Sequence, residues 1–378
     1  MHFVGLSRTK RGVKYFEPYT FQRSGLKVAN RIALSPMTNK QSHEDGTLSD
    51  GEYKWLIRRG KEGFGVLFSC AANVSMDGKG WNGELGVYSD LHLEGLTQLA
   101  QGIRACHSTG LVQLYHGGAR SPEPLIGCRP WSAVDHMFRL GKHEVSVRAA
   151  TEVDIRRVIN DFKVAALRCQ QAGFDGVELH AAHGYLLHQF LSTENQRNDR
   201  WGGRFENRIR LLMTIVSEIK SVINPNFLVG IRLTPEDKYT YKGTDFDESL
   251  HLAEQLIEVG IDFLDVSTWD YRKSPDKYPD SGQPIISWYR SRLGTDFPLF
   301  VAGDIWDPTD AMQAMQYGAD FVCLGKAAIG VPDWPSKARQ SEFKAPRPPY
   351  TKEHLAAADL SQPFIDYMSK WENFVVSE

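Results

Sequence analysis

Paired cysteines are missing from this chain of 378 residues. Its five cysteines stand far apart, at Cys70, Cys106, Cys128, Cys169 and Cys323. Because no two of them form a CxxC pair, the spacing disfavours an iron–sulfur cluster or a structural zinc site. An odd number of widely spaced thiols is typical of the reduced state in a cytosol. We therefore expect a cytoplasmic protein without a metal site.

Long apolar runs and an excess of one charge are missing as well. No run is long enough to cross a bilayer, and the N-terminus has no apolar signal core. The 44 Lys and Arg residues nearly match the 46 Asp and Glu residues. Such a balance favours neither nucleic acid nor a membrane surface as a partner, and it leaves a homo-oligomer open.

Short apolar runs, in contrast, recur along the whole chain. Each is bounded by Gly, Asp or Pro, as buried strands commonly are. The predicted strands are Arg31–Ser35, Val66–Cys70, Leu111–Tyr115, Val177–His180, Leu228–Arg232, Phe263–Ser267, Leu299–Ala302 and Phe321–Leu324.

Stretches with helical periodicity separate most of these strands. The predicted helices are Asp50–Lys61, Leu93–His107, Glu152–Gln171, Phe205–Val222, Asp247–Val259 and Pro308–Tyr317. Thr151 before the third helix and Asp307 before the last are typical helix-start residues. Eight strands in alternation with helices predict an α/β fold, the (β/α)8 or TIM barrel.

We expect residues 1–378 to form one domain, because no linker rich in Gly, Ser or Pro divides the chain. Polar–apolar alternation between Phe16 and Asn30 predicts a β-hairpin ahead of the barrel. The long loop after the third strand, about residues 116–150, is expected to form a lid. The tail at about residues 352–378 is expected to pack as an outer helix.

Titratable side chains are concentrated at the end of the predicted strand Val177–His180. The ends of barrel strands are where such folds place their chemistry. His180 and His183 are three apart, so two neutral imidazoles on one side of a turn could hold an oxygen that gains negative charge. A zinc site or two structural histidines are the alternatives. Tyr185 is either a core residue or a proton donor, since phenol is a weak acid with a pKa of about 10.

Two motifs stand in this part of the chain. They are His-Ala-Ala-His-Gly-Tyr at residues 180–185, and Asn195-x-Arg197-x-Asp199-x-Trp-Gly-Gly-x-x-Glu206-Asn-Arg208. With Asn30–Thr38, Val112–Leu114, Gly230–Arg232, Gly303 and Gly325–Lys326 they occur in barrel order. Over about residues 16–335 the sequence resembles the Old Yellow Enzyme family of FMN-dependent ene-reductases, also called NADH:flavin oxidoreductases. The resemblance implies non-covalent FMN, with NADPH or NADH as co-substrate.

The resemblance also implies catalytic roles for the cluster at the end of the fourth barrel strand. His180 and His183 would grip the carbonyl oxygen of an activated alkene, such as an enone or enal. Hydride would pass from flavin N5 to the β-carbon while Tyr185 protonates the α-carbon.

Flavin contacts are implied for a second group of residues. Arg232 would lie beside N1 and O2 of the flavin, although a salt bridge at the barrel mouth is the alternative for this buried charge. Gln113 has the amide donors and acceptor that suit the pyrimidine edge, and Thr38 would contact O4. Backbone contacts are implied for Pro36, Met37 and Cys70.

The phosphate is expected in the loops after the seventh and eighth strands, where barrels commonly bind it. Gly303 and Gly325 allow backbone N–H groups to approach it closely. Lys326 supplies a point charge where the family more often has arginine. Trp201 and Thr193 also depart from the family pattern, which has tyrosine and proline there.

Two other functions remain open at this point. A flavin-free barrel lyase or isomerase could use the same phosphate site, but it would not explain Gln113 and Arg232 together. A flavin-binding redox sensor would need no proton donor, so Tyr185 counts against it.

Overall fold

The computed structural model describes residues 13–140, 143–237, 243–340 and 342–376. Its strands are β1 (Tyr19–Thr20), β2 (Lys27–Val28), β3 (Ile32–Leu34), β4 (Val66–Asn73), β5 (Thr109–Tyr115), β6 (Trp131–Ser132), β7 (His136–Leu140), β8 (His143–Ala149), β9 (Gly176–Ala181), β10 (Leu228–Leu233), β11 (Phe263–Ser267), β12 (Leu299–Ala302) and β13 (Phe321–Leu324).

The helices lie between and after these strands. They are α1 (Asp50–Lys61), α2 (Leu93–Ala105), α3 (Glu123–Ile126), α4 (Glu152–Ala172), α5 (Leu186–Leu191), α6 (Phe205–Arg208), α7 (Arg210–Lys220), α8 (Phe246–Glu258), α9 (Ile285–Leu293), α10 (Pro308–Gln316), α11 (Lys326–Gly330), α12 (Trp334–Lys337), α13 (Lys352–Ala357) and α14 (Gln362–Met368). Short 3-10 helices lie at Lys14–Phe16, Met76–Gly78, Asp90–His92, Gly118–Arg120 and Pro279–Ser281.

Eight parallel strands close into a barrel, which confirms the predicted fold class. They follow one another in the order β3, β4, β5, β9, β10, β11, β12 and β13, and β13 pairs with β3. Each predicted strand overlaps one of these eight. Their C-terminal ends therefore meet at one rim, where the loops that follow them lie close together.

Phenylalanine rings fill the opposite end of the barrel. Phe300 and Phe321 stack with their centroids 4.1 Å apart, and Phe21 lies 5.8 Å from Phe321. Phe21 belongs to the turn between β1 and β2, which pair antiparallel as the predicted hairpin. A Cβ on Gly230 would lie 2.0 Å from the Phe263 ring, so this strand position requires glycine. The hairpin thus covers the end of the barrel that the aromatic rings close.

Helix boundaries follow the capping residues of the sequence. The Ser49 hydroxyl accepts from the Glu52 amide at the start of α1. Thr151 and Asp154 form a reciprocal capping box at the start of α4, which ends at Gly173 with φ 93°. The helix predicted over 205–222 is two helices, α6 and α7. Helices α5 and α9 were not predicted from the periodicity.

The insertion after β5 contains a small sheet of β6, β7 and β8. Its Trp131 is buried, and the indole N–H donates to Asp77 Oδ2 at 2.9 Å, which ties the sheet to the loop after β4. The expected lid function of residues 116–150 stays a prediction. The tail is not the single outer helix that we expected but two short helices, α13 and α14. No helix in the described ranges has the length and apolar character needed to cross a bilayer.

Candidate active site

A cavity of about 490 Å³ opens at the C-terminal ends of the barrel strands. The site residues predicted from the sequence line it, with the exception of Cys70. Those lining it are Pro36, Met37, Thr38, Gln113, His180, His183, Tyr185, Arg232, Gly303, Gly325 and Lys326. Residues from the ends of the barrel strands, from the loops after them and from the tail therefore meet in one space.

Cys70 lies next to the cavity but faces away from it. The neighbouring residue Ala71 lines the cavity, and the pairing of β4 with β5 shifts register between Phe68 and Ala71. The Cys70 thiol is buried towards α1, and this burial, together with the Glu52 carboxylate, raises its pKa well above the usual value. The predicted backbone contact of Cys70 stays a prediction.

The two predicted histidines are brought together by a tight turn at the end of β9. His183 has φ 56° and is followed by Gly184 with φ 73°. The rings of His180 and His183 are perpendicular, with centroids 5.0 Å apart. His183 Nε2 lies 2.8 Å from Ser267 Oγ, whereas His180 Nδ1 is buried and has no hydrogen-bond partner.

Both imidazoles are held in the neutral form. Burial lowers the pKa of His180 well below its usual value, and His183 and Arg232 lower it further. Burial and then Arg232 lower the pKa of His183 in the same way. A neutral imidazole carries one N–H donor, so the pair can offer donors to an oxygen without bringing a charge of its own.

Tyr185 stands in the wall beside the histidines. Its ring centroid is 4.7 Å from that of Tyr115 and 4.9 Å from that of His180. The guanidinium of Arg120 lies 4.8 Å from the ring centroid. Withdrawal from water raises the pKa of Tyr185 above its usual value, although Arg120 opposes this effect. The phenol therefore keeps its proton at neutral pH.

Arg232 and Gln113 are two further buried residues that line the cavity. Arg232 Nη1 is 3.4 Å from Asp265 Oδ2, and its Nη2 donates to Ser267 Oγ at 3.4 Å. Burial works against the charge, but the Asp265 and Glu178 carboxyls outweigh it, so the pKa of Arg232 is raised. Gln113 Nε2 donates to Glu178 Oε1 at 2.7 Å.

Gly303, Gly325 and Lys326 lie together at another part of the cavity. A Cβ on Gly303 would be 2.2 Å from Thr268 Oγ1, so only glycine fits there. The space around Gly325 is open, because the nearest atom to a Cβ at this position would be Met37 Sδ, at 3.6 Å. Lys326 Nζ lies 5.8 Å from the centroid of the Trp371 ring.

Several lining residues were missed in the sequence. They include Arg120, Ser267, Trp269, Tyr367, Met368 and Trp371. Ser267 and Trp269 come at the end of β11, so their position after a predicted strand could have identified them. The tail offers no such signal. Tyr367 of α14 lines the same cavity as Thr38, and Lys40 Nζ lies 5.2 Å from its ring centroid.

The motif residues after β9 form hydrogen bonds and an ion pair that order the loop in which they lie. Asn195 Nδ2 donates to the carbonyls of Phe190 and Trp201, each at 2.8 Å. Arg197 pairs with Asp199 and donates to carbonyls of the insertion. The indole N–H of Trp201 donates to a Glu152 carboxylate oxygen at 2.6 Å. These residues are absent from the cavity lining.

Comparison with known proteins identifies the family. Residues 14–344 match the model of the NADH:flavin oxidoreductase / NADH oxidase family. A probable NADH-dependent flavin oxidoreductase of Bacillus subtilis (strain 168) is 36% identical over 334 residues, which cover 87% of this chain and 88% of that protein. An NADPH dehydrogenase of the same organism is 32% identical over 345 residues, covering 89% and 97%.

Solved structures and longer relatives agree. Morphinone reductase superposes with a TM-score of 0.77 at 25% identity, covering 93% of this chain and 94% of that chain. The NADH:acrylate oxidoreductase of Vibrio harveyi is 32% identical over 85% of this chain, which spans only 32% of that longer protein. On these matches, the chain belongs to the NADH:flavin oxidoreductase / NADH oxidase family, the Old Yellow Enzyme family, and is an FMN-dependent oxidoreductase that uses NAD(P)H.

Proposed function

We propose that His180 and His183 hold the carbonyl oxygen of the alkene substrate and that Tyr185 protonates its α-carbon. When bound, FMN supplies the hydride chemistry, which takes hydride from NAD(P)H and delivers it to the β-carbon. The protein contributes the donors, the proton and the exclusion of water around them.

The observation that carries this proposal is that His180 lines the cavity while its buried Nδ1 has no hydrogen-bond partner. A buried nitrogen without a partner is costly, so a ligand atom is expected to complete it. His183 adds a second neutral ring 5.0 Å away. Negative charge that develops on a substrate oxygen would be stabilised by N–H groups already in position.

Tyr185 fits the role of the acid because its proton is retained and its ring is fixed. The aromatic contacts with Tyr115 and His180 hold the ring at the cavity wall. Arg120 donates to the His183 carbonyl at 2.7 Å, and its guanidinium lies against the Tyr185 ring. One arginine thereby orients the turn that bears the histidine and the proposed acid.

The cavity also fits FMN. Arg232 Nε is buried without a partner, and Gln113 lines the same cavity. We propose that these two side chains hold the polar edge of the flavin, with Thr38 as a further contact and the backbone of Pro36 and Met37 beside it.

The phosphate is assigned to the part of the cavity formed by Gly303, Gly325 and Lys326. Among the described lining residues, the cations are Arg120, Arg232 and Lys326. Lys326 is the cation at this end, because Arg120 contacts Tyr185 and Arg232 contacts Asp265. A lysine binds phosphate as a point charge rather than through two parallel hydrogen bonds.

Phenolic ligands test the role of the histidines. A phenolate oxygen resembles the oxygen that gains charge during alkene reduction, so a phenol should bind over the flavin and give a long-wavelength charge-transfer band. The double substitution His180→Ala and His183→Ala should weaken binding by at least about a hundredfold, since each charge-assisted hydrogen bond contributes about 1.5–3 kcal/mol and two such bonds are lost.

His354→Ala is the matched control for this titration. His354 is exposed and contacts the Gly330 carbonyl outside the cavity, so its removal should leave the band and the affinity unchanged. Unaltered phenol binding in the variant that lacks both cavity histidines would refute their assigned role.

We further propose that residues 1–378 act as one cytoplasmic domain without a nucleic-acid partner, as a monomer or a homo-oligomer. The near-equal numbers of acidic and basic residues, 46 and 44, support the proposal about nucleic acid. Gel filtration at several concentrations would define the oligomeric state.

A further inference from the structure

Two carboxyl groups lie side by side beneath Arg232. Glu178 comes from β9 and Asp265 from β11, the two strands that flank the strand of Arg232. Both acids are fully buried, and their side chains are within hydrogen-bonding contact of each other. Neither acid lines the cavity, so neither is expected to touch a ligand.

The hydrogen-bond donors around these acids are too few for two carboxylates. Gln113 Nε2 donates a hydrogen bond to Glu178 Oε1, whereas Arg232 Nη1 is 3.4 Å from Asp265 Oδ2. Glu178 Oε2 and both Asp265 oxygens have no hydrogen-bond donor. Two ionised carboxylates in contact would present acceptors to each other in a site closed to water, which is strongly unfavourable. A proton between them would supply the missing donor.

We propose that Glu178 and Asp265 share one proton, and that this acid pair sets the net charge beneath Arg232 and hence the charge that Arg232 presents to the flavin. With one proton the pair carries a single negative charge, which balances the guanidinium. Without it, the cluster of three side chains would carry one excess negative charge inside the barrel. The pair is a positioning element that acts through Arg232, and its effect on the flavin rests on the proposed placement of the cofactor.

The other groups around the pair carry no charge that could replace the proton. Burial raises the pKa of Glu178 well above its usual value, and Asp265 raises it further. Burial also raises the pKa of Asp265, although Arg232 opposes this. Cys323 of β13 faces the pair, and burial raises its thiol pKa, so it stays neutral. Gln113 of β5 is an uncharged amide.

The histidines on the other side of Arg232 do not alter this balance. Burial lowers the pKa values of His180 and His183 well below the usual value, so both are neutral. Arg232 is therefore the one cation among the described groups that face the acid pair.

A shared proton makes a specific prediction about charge. In Glu178→Gln the proton leaves with the glutamate, and Asp265 remains as the single negative charge. In Asp265→Asn the glutamate ionises instead, so the net charge is again unchanged. Only the double substitution leaves Arg232 unbalanced, with one additional positive charge. If both acids were ionised in the native protein, each single substitution would already add a positive charge.

The first measurement is the reduction potential of the FMN-loaded enzyme. We expect both single variants to stay close to the native potential and the double variant to shift to a clearly more positive value. A positive shift in each single variant, about half of the shift in the double variant, would overturn the shared proton. If the double variant does not fold, the two single variants still separate these outcomes.

The second measurement uses the apoprotein, and it does not depend on where the flavin binds. Infrared spectra should contain the carbonyl stretch of a buried protonated carboxylic acid, and each single substitution should remove it. Absence of this band from the native protein would overturn the proposal. If the band behaves as expected but the double variant keeps the native potential, the acid pair stands and the placement of the flavin against Arg232 fails.

Discussion

Replacement of Tyr185 by phenylalanine removes one hydroxyl from the cavity and retains the ring. The ring packs against Tyr115 at 4.7 Å and His180 at 4.9 Å between centroids, and phenylalanine keeps both contacts. The guanidinium of Arg120 can still lie against the ring face. The substitution therefore removes the proposed proton donor with little change in packing.

The expected effect is confined to one half of the reaction. A positioned general acid contributes roughly a hundredfold or more to a proton-transfer step. A hundredfold loss corresponds to about 2.7 kcal/mol in the activation barrier. Transfer of hydride from NAD(P)H to the enzyme requires no acid at a carbon atom. Tyr185→Phe should therefore reduce alkenes about a hundredfold more slowly while it is itself reduced at nearly the native rate.

Stopped-flow spectroscopy can measure the two halves separately. Loss of the flavin absorbance on mixing with NADH or NADPH reports the first, and its return on mixing with an enone reports the second. Tyr115→Phe is the matched control, because Tyr115 is buried against the same ring but does not line the cavity. Nitroalkenes should be affected less, since a nitronate can leave and be protonated in water.

Two results would refute the assignment of the acid. Equal slowing of both halves in Tyr185→Phe would indicate a structural tyrosine. Unchanged rates in both halves would mean that water or another group supplies the proton.

Two further predictions concern the cofactor and folding stability. In a fluorescence titration, Lys326→Met should weaken FMN binding to the apoprotein about tenfold, which corresponds to about 1.4 kcal/mol. The control Lys337→Met removes a surface pair with Asp333 and should leave the affinity unchanged. Equal affinities of the two variants would exclude a phosphate contact of Lys326. Burial raises the pKa of Glu178, so the folded protein keeps a proton on this residue to a higher pH than the unfolded chain does. The stability gained from this proton is complete below the unfolded pKa of about 4.3 and is lost as the pH rises through the folded pKa. Urea unfolding should therefore show a smaller decrease in the free energy of unfolding from acid to alkaline pH for Glu178→Gln than for the native protein. Parallel pH profiles of the two proteins would contradict this.

The barrel could be predicted because each of its strands has a local sequence signal. Apolar runs such as Leu228–Arg232 are short, β-rich and bounded by turn residues, and their number fixes the architecture. The periodicity over 205–222 predicted one helix, because its apolar positions continue past Ile209, where the chain passes from α6 to α7. The flavin-free lyase and the redox sensor that the sequence left open are set aside by the family assignment.

The location of the candidate site residues was predictable for a different reason. His180 lies near the end of the buried strand β9 and Tyr185 follows in the turn after it, so their place at the rim is set by local sequence. The acid pair was not recognised, because Glu178 and Asp265 are 87 positions apart and stand inside strands that otherwise look apolar. Their contact depends on which strands are neighbours in the closed barrel, and only the three-dimensional structure gives that information.

The tail shows where a family resemblance stops being informative. Residues 14–344 match the family, yet Tyr367, Met368 and Trp371 lie beyond that range and line the same cavity. Thr38, a residue within the matched range, lines the cavity together with Tyr367, so the two parts of the chain meet at the site. The residues that we propose for the chemistry lie within the matched range, whereas the tail contributes to the wall of the same cavity. We therefore expect the substrate preference of this protein to depend in part on tail residues that the family match does not include.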